Sequence, residues 1–85
     1  MHYVYVLRSE TKRRFYTGYT HDLRKRLGQH NDGRNTSTRY GVPWRLLYYE
    51  AYETESQARD REAVLKKRGR VWQSLRSRLV KSGGK

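Results

Sequence analysis

Some side chains of this sequence could carry chemistry and lie where simple patterning would not place them. His30 falls on the apolar stripe of a predicted helix, and Arg26 lies one turn earlier beside it. Glu62 falls on the apolar face of a later predicted helix, and Tyr5 and Tyr16 fall on adjacent predicted strands. An imidazole, a carboxylate and two phenols are groups that transfer protons or hold a cation.

Each of these placements also has an ordinary structural explanation. A carboxylate on an inward face needs a cation or a metal ion as its partner, and for Glu62 taken alone a salt bridge to an arginine is the commoner case. His30 could be a hydrogen-bonded histidine at a helix end, and Tyr5 and Tyr16 could pack in the core with satisfied hydroxyls. Arg26 could lie on a solvated helix face. Taken singly, the residues leave both explanations open.

The elements that must position these groups begin with two strands. The apolar run Tyr3–Leu7 is rich in β-branched and aromatic residues, which predicts a central strand covered on both faces. Phe15–Tyr19 predicts a second strand, and the short connection favours an antiparallel hairpin. Gly18 within that strand indicates a bulge or a close backbone approach.

Helices and one further strand follow. Asp22 can cap a helix that runs to about His30, with Leu23 and Leu27 as its apolar stripe. A polar loop over residues 31–42 leads to a third strand over 44–52.

The last third predicts two more helices. Thr54 and Gln57 fit a capping box, the following helix places Ala58, Glu62 and Leu65 on one face, and Gly69 is expected to end it. The final helix, Val71 to about Lys81, should bury Trp72, Leu75 and Leu79. The order ββαβαα predicts a small α+β domain with a three-stranded antiparallel sheet flanked by helices.

Length and composition narrow the function classes. At 85 residues the chain has room for one domain, expected over 1–81 with a flexible tail over 82–85. Without cysteine it can form neither a disulfide framework nor a thiolate zinc site. No apolar run reaches the length of a membrane span and no signal peptide opens the chain, so we expect a soluble, intracellular protein.

The charge predicts a polyanionic partner. Twenty Lys and Arg against eight Asp and Glu give a net charge of +12, and no acid follows Glu62. Such a balance most often indicates nucleic acid. An anionic membrane surface would require a basic amphipathic helix with a strong apolar face, which the aromatic residues here do not form. A merely solubilising surface is the remaining alternative.

An ordered set of motifs carries a resemblance to a known family. In chain order these are Tyr3-Val4-Tyr5, Tyr16-Thr17-Gly18-Tyr19-Thr20, Asp22-Leu23-Arg24-Lys25-Arg26-Leu27 with His30-Asn31, Pro43-Trp44-Arg45-Leu46-Leu47-Tyr48, and Arg61-Glu62 with Leu65-Lys66-Lys67. The set resembles the GIY-YIG nuclease superfamily, and more closely its small stand-alone bacterial branch. Tyr3 stands where the first motif has glycine and Thr17 where the second has isoleucine, but neither position carries the chemistry.

The resemblance implies a role for each residue singled out above. Tyr5 and Tyr16 match the motif tyrosines, one of which is proposed to help deprotonate the attacking water, and either could do so here. Arg26 matches the arginine that holds the scissile phosphate. His30 matches a histidine that assists proton transfer in some members. Glu62 matches the single carboxylate that binds Mg²⁺ or Mn²⁺.

A phenol is a weak base at neutral pH because its ordinary pKa is near 10. We therefore expect local cations to lower the pKa of the catalytic tyrosine, or His30 to relay its proton.

The resemblance implies a divalent-metal-dependent endonuclease acting on DNA, with single-stranded or structured DNA and RNA left open as substrates. It also implies a bacterial, cytoplasmic protein, with association with the nucleoid left open. No protein partner can be inferred. The alternative is a catalytically weak nucleic-acid-binding module on the same scaffold. A third hypothesis, binding to ribosomal RNA, explains the charge but not the inward carboxylate. The basic side chains expected to bind nucleic acid are Arg24, Lys66, Lys67, Arg70, Arg76 and Arg78.

Overall fold

The computed structural model describes residues 1–83 and shows an α+β fold in the predicted order ββαβαα. The strands are β1 (His2–Ser9), β2 (Phe15–Thr20) and β3 (Trp44–Tyr52). The helices are α1 (Leu23–Asn31), α2 (Glu55–Lys66) and α3 (Arg70–Gly83), and a short 3-10 helix covers Arg39–Gly41.

The sheet is antiparallel with the order β2-β1-β3, so β1 is central as its continuous apolar run predicted. Val4, Tyr5, Val6 and Leu7 are all buried, because both faces of β1 are covered. The register between β1 and β3 shifts by one residue beside Val6 and Leu7. β2 is an edge strand, and this position matters for the site.

The two faces of the sheet bury separate clusters, because side chains alternate along a strand. On one face Val4 and Val6 pack with Ala58 and Leu65 of α2 and with Trp72 of α3. On the other face Tyr5 and Leu7 pack with Trp44, and the half-buried leucines of α1 close the cluster. The predicted inward stripes of all three helices are confirmed.

Local capping sequences set where two helices begin. The Asp22 side chain accepts a hydrogen bond from the backbone N–H of Lys25, at the start of α1. Thr54 and Gln57 form the predicted capping box at the start of α2.

The end of α2 differs from the prediction that Gly69 terminates it. The helix ends at Lys66, and Arg68 takes the left-handed conformation with φ of 57°. Its guanidinium stacks on the Trp72 ring at 4.0 Å and its Nη1 donates to Thr17 Oγ1 at 3.4 Å. These contacts offset the backbone cost, which glycine would have avoided. Gly69 instead supplies a carbonyl to the first turn of α3.

The carboxylate of Glu50 links β3 to α2. Glu50 accepts hydrogen bonds from Arg61 Nε and Nη2 and from the hydroxyls of Tyr48 and Tyr52. Burial alone would raise the pKa of Glu50, but these hydrogen bonds outweigh burial and lower it. Glu50 therefore serves the fold, with its oxygens fully engaged.

Helix α3 continues to Gly83, and residues 84 and 85 of the predicted tail lie outside the described range. Within residues 1–83, no helix is both long and apolar enough to cross a membrane.

Candidate active site

The site residues gather around the exposed edge of the sheet. Tyr5 and Tyr16 point to the α1 face, because Tyr5 pairs with Gly18 and Leu7 pairs with Tyr16 in the β1–β2 register. Helix α2 covers the opposite face, but its last turn reaches past β2 toward Tyr16. Because β2 has no neighbour on its outer side, groups from both faces meet there.

His30 is fully buried and uses both ring nitrogens. Its Nε2 lies 2.8 Å from the Tyr5 hydroxyl, and its Nδ1 lies 2.8 Å from Thr38 Oγ1. The prediction that His30 points the same way as Leu23 and Leu27 is confirmed, since all three line the cluster around Tyr5.

The charge states of this pair follow from burial. Desolvation raises the pKa of Tyr5 to about 12, against the opposing effect of a hydrogen bond from Arg26. The expectation that nearby cations would lower the pKa of the tyrosine is therefore wrong for Tyr5, because loss of solvent outweighs one guanidinium. Burial, with the charge of Arg26, lowers the pKa of His30 to about 4. His30 is thus neutral at pH 7 and can accept a proton.

Arg26 stands in front of the two phenols. It is half-buried, and its pKa is raised, chiefly by a hydrogen bond to Tyr5 with a smaller contribution from Tyr16. Its Nη1 also donates to Gln29 Oε1 at 3.1 Å, which fixes the guanidinium on the helix surface. Tyr16 is half-buried, and its ring lies 4.9 Å from the His30 ring.

Gly18 allows the phenols to come this close. A Cβ at Gly18 would clash with the Tyr5 hydroxyl and would lie 2.6 Å from Tyr5 Cζ and 3.0 Å from Tyr16 Cε2. Gly18 permits this contact because it has no side chain, which confirms the predicted close approach.

Glu62 lies on the inward face of α2, with its side chain 14% exposed. Its Oε2 lies 3.0 Å from Lys66 Nζ, and its Oε1 lies 4.0 Å from Arg59 Nη1. The ordinary explanation, a salt bridge, is thus present, although its shorter contact is to a lysine. Lys66 Nζ is also 5.9 Å from the centroid of the Tyr16 ring, and the charge of Glu62 raises the pKa of Tyr5. The carboxylate is therefore linked to Tyr16 through Lys66.

The described residues contain no group of three or more His, Cys, Asp and Glu arranged to hold a metal ion. A divalent cation at Glu62 would thus depend on ligands from outside the chain. Mg²⁺ is commonly held by one or two carboxylates together with substrate phosphates and waters, so a lone carboxylate fits a cation that arrives with a phosphodiester.

Sequence reasoning missed several contacts of the site. Thr38 lies in the polar loop, where no periodicity marks it, yet it is 1% exposed and bonded to His30. Gln29 and Lys66 could have been found from their helical spacing to Arg26 and Glu62. The sequence predicts Lys66 only as a nucleic-acid contact, whereas the structure places it between Glu62 and Tyr16.

The other predicted nucleic-acid contacts lie on different surfaces. Arg24 borders an apolar depression with Leu23, Leu27 and Leu46, on a different side of α1 from Arg26. Arg76 stacks over Phe15 at 5.3 Å. The remaining members, Lys67, Arg70 and Arg78, are exposed.

Comparison with known proteins agrees with this geometry. Residues 1–74 match the family model of the GIY-YIG catalytic domain. The UPF0213 protein SpyM50708 of Streptococcus pyogenes serotype M5 is 49% identical over 67 residues, covering 78% of this chain and 72% of that protein. Its counterpart in serotype M2, MGAS10270_Spy1222, matches to the same extent.

A solved structure also matches. The solution NMR structure of the UPF0213 protein BH0048 from Bacillus halodurans superposes with a TM-score of 0.55 at 32% identity, covering 92% of this chain and 83% of that one. The ordered motifs, the ββαβαα fold and the grouping of their side chains around the edge of β2 have one common explanation: the chain belongs to the GIY-YIG catalytic domain family, alongside the UPF0213 proteins.

Proposed function

We propose that this protein is a divalent-metal-dependent endonuclease that hydrolyses phosphodiester bonds in DNA. The observation that supports this most strongly is the grouping of Tyr5, Tyr16, Arg26 and His30 on the α1 face of the sheet, with Glu62 of α2 linked to Tyr16 through Lys66. These residues come from four separate elements. A fold that needed only a core would not require all of these polar groups in one place.

Arg26 is the group we assign to the reacting phosphate. Two surface depressions flank it, and both are lined by Arg26 and Gln29. Lys25 and Arg59 line one, and Arg34 lines the other. A nucleic-acid strand crossing α1 would place one phosphate at Arg26 with cations on either side. A guanidinium fixed there can stabilise the charge that develops on the phosphoryl oxygens.

The two phenols differ in access to this phosphate. Tyr5 is 1% exposed, with its hydroxyl against His30, whereas Tyr16 is half-buried. We assign Tyr16 to the side that meets the substrate and its water, and Tyr5 with His30 to the proton path behind it. At pH 7 the lowered pKa of His30 leaves its ring neutral, with a nitrogen that can accept from Tyr5, and the raised pKa of Tyr5 keeps that hydroxyl protonated.

Glu62 is the residue that would hold Mg²⁺ or Mn²⁺ together with oxygens of the substrate. When bound, such a cation polarises a phosphoryl oxygen and helps the leaving group depart. Lys66 neutralises the carboxylate at 3.0 Å and must turn away for the cation to bind. Its ammonium could then contact a phosphate.

One observation favours the alternative of a binding module with little cleavage. Glu62 already has a cationic partner in Lys66, and a salt bridge satisfies an inward carboxylate without any metal. Cleavage assays with metal controls separate the two functions.

The test measures nicking of plasmid and cleavage of single-stranded DNA with Mg²⁺, with Mn²⁺ and with a chelator. Arg26→Ala should lower the single-turnover rate at saturating DNA by about 10²- to 10³-fold. Arg24→Ala is the matched control, because it removes the same charge from another side of the same helix and should leave that rate nearly unchanged. Equal rates for the two variants would show that Arg26 only binds the DNA backbone and does not act on the reacting phosphate.

Glu62→Gln tests the metal role. It should abolish metal-stimulated cleavage while DNA binding and the melting temperature change little, because glutamine keeps the shape and removes only the charge. A large fall in melting temperature with retained specific activity would instead assign Glu62 to a structural salt bridge.

A further inference from the structure

The hydrogen bonds around His30 form a continuous chain from Tyr5 to the polar loop. The Tyr5 hydroxyl lies 2.8 Å from His30 Nε2, and His30 Nδ1 lies 2.8 Å from Thr38 Oγ1. Thr38 Oγ1 in turn lies 3.3 Å from the backbone carbonyl of Asn35. His30 and Thr38 are 0% and 1% exposed, so water does not substitute for these partners.

The Thr38 end of this chain sets the direction of its hydrogen bonds. A carbonyl oxygen can only accept, so the Thr38 hydroxyl donates its single proton to Asn35. The Thr38 oxygen then accepts from His30 Nδ1–H, which leaves Nε2 of the neutral ring to accept from Tyr5. In the opposite direction the Tyr5 proton would have no acceptor among the described residues.

Hydrogen bonds of the loop fix the position of the Thr38 backbone. Its carbonyl oxygen accepts from Trp44 Nε1 at 2.7 Å and from the Gly41 N–H at 3.0 Å, and its own N–H donates to Asn35 at 3.1 Å. Trp44 is itself buried at the start of β3. The backbone of Thr38 is thus anchored by contacts that do not involve His30.

From this geometry we propose that Thr38 is a positioning residue of the active site: it accepts from His30 Nδ1–H and so fixes the tautomer whose Nε2 can take a proton from Tyr5. As Tyr16 takes a proton from the attacking water and passes its own to Tyr5, Tyr5 passes its proton to His30 Nε2, so that the Tyr5 phenolate is never a free intermediate. Burial and the charge of Arg26 oppose the imidazolium that forms, and the Thr38 oxygen offsets part of that cost by accepting from Nδ1–H. This role of Thr38 rests on the proposed function, whereas the tautomer assignment does not.

The first test is independent of catalysis. Long-range ¹H–¹⁵N correlation spectra distinguish protonated from unprotonated ring nitrogens, and a His30→Gln spectrum identifies the His30 signals among those of the three histidines. We expect Nδ1 to be protonated and Nε2 unprotonated in the unmodified protein at pH 7. Thr38→Ser should keep this tautomer, and Thr38→Val should lose it. Protonated Nε2 in the unmodified protein would overturn the proposal, whether or not the valine variant folds.

The second test is the rate. Thr38→Val should lower single-turnover cleavage at saturating DNA by about tenfold to a hundredfold and leave the affinity for DNA unchanged, and Thr38→Ser should restore most of the rate. A valine variant with the wild-type tautomer and rate would refute the positioning role. If the tautomer behaves as expected but the unmodified protein cleaves no DNA, the hydrogen-bond assignment stands and the proposed nuclease function fails.

Discussion

Replacing Gly18 by alanine tests how tightly the two phenols are packed. The new Cβ would clash with the Tyr5 hydroxyl and stand 2.6 Å from Tyr5 Cζ, whereas carbon atoms in ordinary contact are about 3.5–4.0 Å apart. Tyr5 must therefore retreat by about 1 Å. A shift of this size would distort or break its 2.8 Å hydrogen bond to His30.

The expected cost follows from overpacking. Forcing an extra carbon into a packed core costs about 1–3 kcal/mol. For a domain of this size, a loss of about 2 kcal/mol lowers the melting temperature by about 8–16 °C. Thermal unfolding followed by circular dichroism measures this shift, and cleavage should fall with it because Tyr5 leaves His30.

Gly28→Ala is the matched control. Gly28 lies in α1 with open space around it, so alanine should be neutral or stabilise the protein by up to about 1 kcal/mol. Combining Gly18→Ala with Tyr5→Phe should cost less than the sum of the two single changes, because the clashing hydroxyl is gone. A Gly18→Ala protein with unchanged melting temperature and activity, or strict additivity in this cycle, would refute the packing argument.

The remaining predictions concern pH, backbone strain and charge. The pKa of His30 is lowered from 6.5 to about 4 in the folded protein. As the pH falls, the imidazole is therefore protonated in the unfolded chain before it is protonated in the folded one. The free energy of unfolding should fall by about 3 kcal/mol as the pH drops from 6.5 to 4. Urea unfolding across this range should show a smaller fall in His30→Gln, and identical profiles would contradict the assignment. Arg68→Gly should be more stable than Arg68→Ala by about 1 kcal/mol in urea unfolding, because only glycine adopts φ of 57° without strain; the reverse order would show that the conformation costs nothing. Replacing Arg76 and Arg78 by Gln should weaken DNA binding on all sequences and reduce the slope of log affinity against log salt concentration by about one to two units. Cleavage at saturating DNA should change little. An unchanged slope in titrations at several salt concentrations would show that these charges only keep the protein soluble.

Local patterns in the sequence were sufficient for most of the fold. The β-branched and aromatic run around Tyr5 predicted a central strand, and Asp22 and Thr54 predicted the starts of two helices, because strand preference and capping depend on neighbours within a few residues. The spacing of Arg26 and His30 predicted that the two residues are neighbours on the surface of one helix, because side chains four residues apart lie one turn apart. The charge pattern predicted a polyanionic partner.

The tertiary structure decided what depends on contacts between distant segments. The left-handed residue after α2 is Arg68 and not Gly69, because Trp72 and Thr17 hold its side chain. The pKa of Tyr5 rises because burial against α1 removes solvent from the hydroxyl. This effect cannot be predicted by counting nearby cations in the sequence. Thr38 became part of the site only when the loop folded over His30, since a hydroxyl in a polar loop carries no periodic signal of its partner. Sequence spacing determines which residues share a face of one element, whereas desolvation and the direction of a hydrogen bond are set by groups that meet only in the folded chain.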